Sequence, residues 1–325
     1  MCYAAQIKAD FRKFTRQYGA VLSLHQFFKL FWHKRKDQEW QKIPKAVRTA
    51  FAQARGNDAS DEERELAELV AAGDRDHANA LEAELFRQKT RLAEAERALA
   101  SRPTRKAENE QRIATDRIAR LQQNLADLQR AAPTAEDAMI FPGYYAPVMV
   151  TIDGQRTIVP MRYRCRLPGW DVAMERKKPG TYNARRDNLE TAWRELFGYR
   201  HGILAIRAFH EHVARHRMEH RELGPGEKEE GVVLAFRPDP PQDLLIACLW
   251  SVHPGEAGEP DLYSFAAITD EPPAEVAAAG HDRCVIPIKP QNVDAWLDPD
   301  PGNLAAMQAI LDDRERPFFE YRLAA

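Results

Sequence analysis

Long apolar runs are missing from this chain. The longest, such as Gly231 to Phe236 and Leu244 to Trp250, fall far short of the roughly 20 residues that a bilayer span requires. That excludes a helical membrane protein, and the first residues lack the apolar centre of a secretory signal. Cysteine is scarce: Cys2, Cys165, Cys248 and Cys284 are the only four, and no two stand as C-x-x-C. A disulfide scaffold and a cysteine zinc cage are therefore excluded, and a reducing, cytoplasmic setting is predicted. Also missing are a Gly-x-x-x-x-Gly-Lys loop, a Gly-x-Gly-x-x-Gly turn and a Gly-x-Ser-x-Gly elbow. Nucleotide-binding and hydrolase-elbow functions lose their sequence support with them, and no cofactor is predicted.

Net charge is nearly absent too, with 47 Lys+Arg against 49 Asp+Glu, which taken alone argues against a nucleic-acid partner. The sum hides an uneven distribution. Met1 to Arg55 carries +9, Gly56 to Ala100 carries −6, and Arg156 to Arg194 carries +6. Such asymmetry is a hint of a polyanionic partner, although lysines and arginines also serve simply to solvate helix faces.

What is present divides into three textures. Residues from Phe11 to Ala54 are expected to be helical, with Phe27, Phe28, Leu30, Phe31 and Trp32 forming an aromatic cluster for core or docking. From Asp58 to Arg130 there is little but Ala, Glu, Arg, Leu and Gln, a helix-favouring composition. Leu81, Leu85, Leu92 and Leu99 form one stripe, and Ile118, Leu121, Leu125 and Leu128 another. Ser101 to Thr104 breaks the pattern, so two antiparallel helices of about 40 Å are expected, as a spacer or an oligomerisation arm. From Pro142 on, short β-rich segments alternate irregularly with Pro, Gly and brief helices. Strands are expected at Pro147 to Ile152, Arg156 to Tyr163, Gly202 to Phe209, Gly231 to Phe236, Leu244 to Trp250, Leu262 to Ile268 and Val285 to Ile288. Helices are expected at Leu189 to Phe197, Pro273 to Ala279, Val293 to Leu297 and Asn303 to Asp312. The fold class is α+β, with a coiled-coil hairpin inserted in a mixed β domain. The expected divisions are 1–10 with 134–325 as the catalytic domain, 11–57 as a basic helical segment and 58–133 as the hairpin.

Two motifs compete for chemistry. His216-Arg217-Met218-Glu219-His220 matches H-x-x-E-H; on a helix the two histidines would share a face and hold zinc while Glu219 acts as base. The competing interpretation is a charged connector ended by Gly224-Pro225-Gly226. Cys2 is the other. Removal of Met1 would leave an amine and a thiol on one two-carbon frame, able to condense with an aldehyde to an imine and close a thiazolidine. With ordinary pKa values of about 8 and 8.5, both groups are partly reactive near neutrality.

The chain resembles the SRAP family (SOS response-associated peptidase domains). The resemblance rests on Met1-Cys2; Pro160-Met161-Arg162-Tyr163 with Pro168-Gly169-Trp170; Tyr182-Asn183-Ala184-Arg185; and Ala208-Phe209-His210-Glu211. It continues through Leu245 to Trp250, Phe265-Ala266-Ala267-Ile268-Thr269 and Gly280-His281-Asp282-Arg283 before Val285-Ile286-Pro287. It implies a domain that binds single-stranded DNA and crosslinks itself through Cys2 to the ring-opened aldehyde of an abasic site, with possible loss of Met1 by self-cleavage. It assigns Glu211 to proton transfer, a task that burial would suit by raising its pKa. It gives His281 ring opening and imine stabilisation, and Asn183 the orientation of the Cys2 amine. Arg162 and Arg185 would meet phosphates as forks. Tyr163 and Trp170 would either stack on bases or belong to the core. The alternative from another class is a non-catalytic nucleic-acid-binding or assembly protein with a degenerate site. The departures are Tyr3-Ala4-Ala5 where the family has Gly-Arg after the cysteine, Tyr163-Arg164 where it has Trp-Gly, with one residue more before Trp170, and His210 and His212 where it has Tyr and Trp around the glutamate. The largest is the block from about Lys8 to Pro133, inserted after the nucleophile.

Overall fold

The computed structural model describes residues 3–8, 11–52, 59–256 and 259–324, with the backbone alone for 11–14. Cys2 lies outside the described residues. The chain divides into two units: Met1–Leu30 with Lys42–Ala50 and Ala135–Ala325, and Phe31–Gln41 with Phe51–Thr134.

Capping explains where the longest helix starts. Ser60 accepts the Glu63 backbone N–H while the Glu63 carboxylate receives that of Ser60, a reciprocal box that satisfies two helix-end donors. After α1 (Phe11–Tyr18), α2 (Leu24–Lys36) and α3 (Lys45–Ala52), helix α4 then runs unbroken over Asp61–Ser101. Its 41 residues span about 60 Å. This exceeds the expected 40 Å because the Ala- and Glu-rich stretch before Leu81 continues the helix. A turn through Arg102 and Pro103 leads to α5 (Arg105–Gln129), capped by Thr104. The two helices pack on each other, and Arg91 bridges to Glu110 at 2.5 Å. Leu81, Leu85, Leu92 and Leu99 are half-buried, Leu121 is buried, and Phe86 projects into solvent.

In the same unit, Trp40 is buried, donates its Nε1–H to Asp74 at 2.8 Å and meets Phe31 edge-on. Gly73 of α4 lies directly against the Trp40 ring, leaving no room for a Cβ. Helix propensity alone says that Gly73→Ala gains about 1 kcal/mol. We expect the opposite: overpacking against a pinned indole should cost about 1–3 kcal/mol, measurable as a lowered midpoint in chemical denaturation.

The first unit holds a sheet of twelve strands among the described residues. They are β1 (Ala4–Ile7), β2 (Val21–Leu22), β3 (Met139–Ile140), β4 (Tyr145–Ile152), β5 (Gln155–Tyr163), β6 (Asn183–Arg185), β7 (His201–Ala214), β8 (Gly231–Asp239), β9 (Leu244–His253), β10 (Leu262–Asp270), β11 (Cys284–Val285) and β12 (Phe318–Leu323). Helices α6 (Val172–Lys177), α7 (Arg215–Met218), α8 (Ala274–Ala278), α9 (Val293–Leu297) and α10 (Leu304–Asp312) interrupt them. Most pairings are antiparallel, while β10 runs parallel to β5 and β6, and β2 parallel to β5. The α+β class is thus observed. No helix among the described residues is long and apolar enough to cross a membrane.

Strand β7 is the organising element. Its first half pairs with β4 and β9, and its second half with β1 and β8. Phe209 stacks on Phe236 at 5.0 Å, with Phe319 edge-on. His201, at its start, is a core histidine: it accepts the Gly198 N–H at 2.9 Å, faces the Trp296 carbonyl at 3.1 Å and stacks on the Trp296 ring.

Two expectations need correction. Leu189 to Phe197 is a run of turns and not a regular helix. Leu189, Trp193, Leu196 and Phe197 are all buried, and their backbone bonds mix spacings, with Trp193 N–H reaching Asn188 and Leu196 N–H reaching Trp193. Anchoring by side chains has overridden local periodicity there. Strand β12 was not expected at all, since its residues are mostly exposed and it is held through pairing with β8.

Candidate functional site

Strand β7 sets the site because consecutive residues face opposite sides. Glu211 points inward and is fully buried; His210 points the other way. The partner of Glu211 arrives on the loop before β11, where His281 Nε2 lies 3.3 Å from Glu211 Oε2. Gly280 makes that approach possible. Its φ of +93° suits glycine, and a Cβ there would press on Arg217 Cβ at 2.9 Å.

Burial pushes the Glu211 carboxyl up to about 8; Asp282 adds to the rise, and a backbone hydrogen bond from Tyr3 opposes it. Burial also lowers the His281 imidazole, against a hydrogen bond to the Arg283 carbonyl. His281 Nδ1 stands 2.9 Å from that carbonyl. The Arg283 N–H also points to Nδ1, at 3.3 Å; in the tautomer whose Nδ1 donates to the carbonyl, Nε2 is left as an acceptor. Near neutrality burial favours a carboxylic acid facing a neutral imidazole.

Strand β1 brings the N-terminal segment alongside. Tyr3 donates its N–H to the His210 carbonyl at 3.1 Å, and Ala4 pairs with His210. On β10, Thr269 is flanked by Arg185 of β6 and by Val285 of β11, so β6 and the strand following the His281 loop meet at one residue. Asn183, two residues before Arg185, is buried and lies 3.4 Å from the Tyr163 hydroxyl.

The expected DNA-facing residues separate. Tyr163 is only 1 % exposed and stacks on Phe265; its ring offers no face to a base and serves instead as a wall behind Asn183. Trp170 is half-buried, with Lys178 above its ring at 5.4 Å. Arg185 is exposed and forks onto Asp187 at 2.6 and 3.1 Å. Arg162 is drawn inward by an acid that sequence inspection passed over, Glu175 of α6. This buried carboxylate receives Arg162 at 2.5 Å and Arg166 at 2.8 Å, with Arg164 at 3.6 Å. Its signal was available: Glu175 is one of only two acids, with Asp171, between three alternating arginines and a further basic run.

The H-x-x-E-H segment does not form a zinc site. Helix α7 ends at Met218, His220 adopts a φ of +52°, and Glu219 engages Arg221 at 2.8 Å. The two histidines therefore do not share a helix face, and among the described residues no group of three or more potential ligands converges.

The paired strands and the buried acid-imidazole couple define an α+β domain that holds a titratable pair close to its own N-terminal strand. The model of the SOS response associated peptidase (SRAP) family matches residues 102–322. This is more than half of the chain, and the chain belongs to that family. The match does not include Cys2. Among solved structures, a protein from Bordetella bronchiseptica is similar at 19% identity, covering 63% of this chain and 95% of that one with a TM-score of 0.45. One from Bacteroides thetaiotaomicron shows 13% identity, 58% and 78% coverage and a TM-score of 0.44. A phage-related protein from Bordetella bronchiseptica shows 17%, 61% and 85%, with 0.42. No curated protein matches.

Two outcomes follow. Glu175→Ala leaves three guanidiniums facing one another without their carboxylate and should destabilise the protein by about 3–5 kcal/mol, as read by denaturant melts. For Glu211 the folded pKa lies above the ordinary 4.5, so its stabilising contribution is complete below that pH and lost as pH rises through about 8. Glu211→Gln cannot ionise; its stability relative to the native chain should rise by a few kcal/mol between pH 5 and pH 9, and a flat difference would contradict the buried, protonated acid.

Proposed function

We propose that the protein senses abasic sites in single-stranded DNA and joins itself to them covalently through Cys2. The observation that carries this is the buried Glu211–His281 couple at 3.3 Å, hydrogen-bonded through β7 and β1 to Tyr3, the residue after Cys2. The family supports the reading at the level of a peptidase-like domain. Hydrolysis of the Met1–Cys2 bond, the peptidase step, frees the amine.

The chemistry then needs three proton movements. The closed sugar hemiacetal opens when its ring oxygen is protonated and its hydroxyl deprotonated, which an acid and a base in contact accomplish together. The Cys2 amine adds to the aldehyde, and the carbinolamine loses one water to give the imine. The Cys2 thiol adds across the C=N bond, its proton passing to nitrogen, and the thiazolidine closes. Glu211 in its acid form supplies the proton for dehydration; His281 receives the one from the sugar hydroxyl. Asn183 has the donor and acceptor to orient the amine. Phosphates on either side exchange with Asp187 on the exposed Arg185, while Trp170 and Lys178 offer a stacking surface beside a positive charge.

The test is an adduct between the processed protein and abasic single-stranded DNA that survives denaturing electrophoresis. It should form with the native chain, disappear with Cys2→Ser, and slow as pH rises above about 8, where Glu211 loses its proton. Equal adduct from Cys2→Ser, or none from the native chain, would sink the proposal.

A further inference from the structure

The sheet that turns Glu211 inward presents a groove on its other face. Strand pairing sets Ala4, His210, Ala235 and Arg322 in one row across β1, β7, β8 and β12. In the neighbouring row Gln6 opposes Ala208, and Arg237 opposes Glu320. The groove encloses about 970 Å³, and Tyr3 and Phe141, edge-to-face at 5.6 Å, are among its walls. Small side chains at Ala4 and Ala235 keep its floor low.

One polar group is left over. His210 is 9 % exposed, and its Nδ1 has no hydrogen-bond partner among the described residues. A buried ring nitrogen without a partner is costly, which favours a ligand whose polar edge reaches it. Burial, then the nearby Arg237, pushes this imidazole down to about 4, so it meets that edge uncharged. The charges around it are largely matched. Arg215 is bound to Glu230 at 2.7 Å and Arg322 to Glu320 at 3.8 Å. Arg237 has no ion-pair partner among the described residues. A site of matched charges, one neutral imidazole, aromatic walls and a low apolar floor suits a flat heteroaromatic ring better than a bare anion.

We propose that this groove is a nucleobase subsite, in which a base lies over Ala235 with a polar edge on His210 Nδ1, and Arg237 meets the adjoining phosphate. Because Tyr3 is joined to Cys2, the base that reaches it is the immediate neighbour of the abasic position. The inference rests on the crosslinking function proposed above. The same chemistry could be offered by a free nucleotide, and the experiment separates the two sources.

Adduct formation is timed on strands whose nucleotide immediately 5′ or 3′ of the abasic site is either intact or a base-free tetrahydrofuran spacer. Removing the base on one side should slow the native protein about fivefold or more. Ala235→Phe, which fills the floor, and His210→Ala should each crosslink both strands at the slower rate. The spacer comparison needs no variant, so it stands even where His210→Ala folds poorly. Equal rates with and without the base on both sides would overturn the subsite while leaving the crosslinking function intact. Absence of any adduct overturns that function instead. The groove is then tested by titration with the four nucleoside monophosphates: binding lost in Ala235→Phe assigns it to free nucleotides, and no binding overturns it. Binding of free nucleotide together with equal crosslinking rates also assigns the groove to free ligand.

Discussion

A carboxylic acid with no access to solvent, held 3.3 Å from an imidazole, is the constraint on which the rest of the structure depends. Glu211 cannot ionise cheaply where it lies, because water is excluded and a charge would be poorly solvated. Burial outweighs the Tyr3 backbone hydrogen bond that favours the ionised form. Glu211 sits in the second half of β7, opposite Leu234 of β8 and between the buried Phe209 and Val213 on the same face. The imidazole of His281 beside it is itself biased toward the uncharged form by burial. The loop bearing His281 can approach only because Gly280 has no side chain to strike Arg217. A charged H-x-x-E-H segment that suggests a metal site thus acts as the wall against which that loop rests.

Charge in this chain is organised by pairing, and segment sums overstate what is free. The +6 stretch from Arg156 to Arg194 holds Arg162, Arg164 and Arg166 around Glu175, Arg185 on Asp187, and Arg186 on Asp270 and Asp312. Exposed pairs such as Arg185–Asp187 are weak enough for phosphate to compete, whereas the Glu175 cluster is interior architecture. The basic surface left over is smaller than composition suggests. It centres on α6, where Arg176, Lys177 and Lys178 are exposed beside Trp170.

Much of this was legible from residues alone. The Ala- and Leu-rich hairpin, the β-rich half and the order of short motifs pointed to the α+β class and the SRAP family. Strand β7 could be read from Gly202 to Phe209 because it is apolar; its continuation through Glu211 to Ala214 could not, because its polar residues face a groove and a proton couple. Burial of Tyr163 and the inward turn of Arg162 depended on Phe265 and Glu175, partners distant in sequence or hidden in a basic run. Strand β12 alternates too weakly to signal itself. The turn run at Leu189 to Phe197 looked helical because four large apolar residues recur there, and spacing cannot tell a helix from a segment pinned by its side chains.

Peptide mapping of the purified adduct by mass spectrometry tests the central claim most directly. The account predicts that the sugar is carried by the peptide that begins at Cys2, with Met1 gone and a mass equal to peptide plus sugar less one water. Attachment to a lysine, or an unmodified N-terminal peptide that retains Met1, would contradict it.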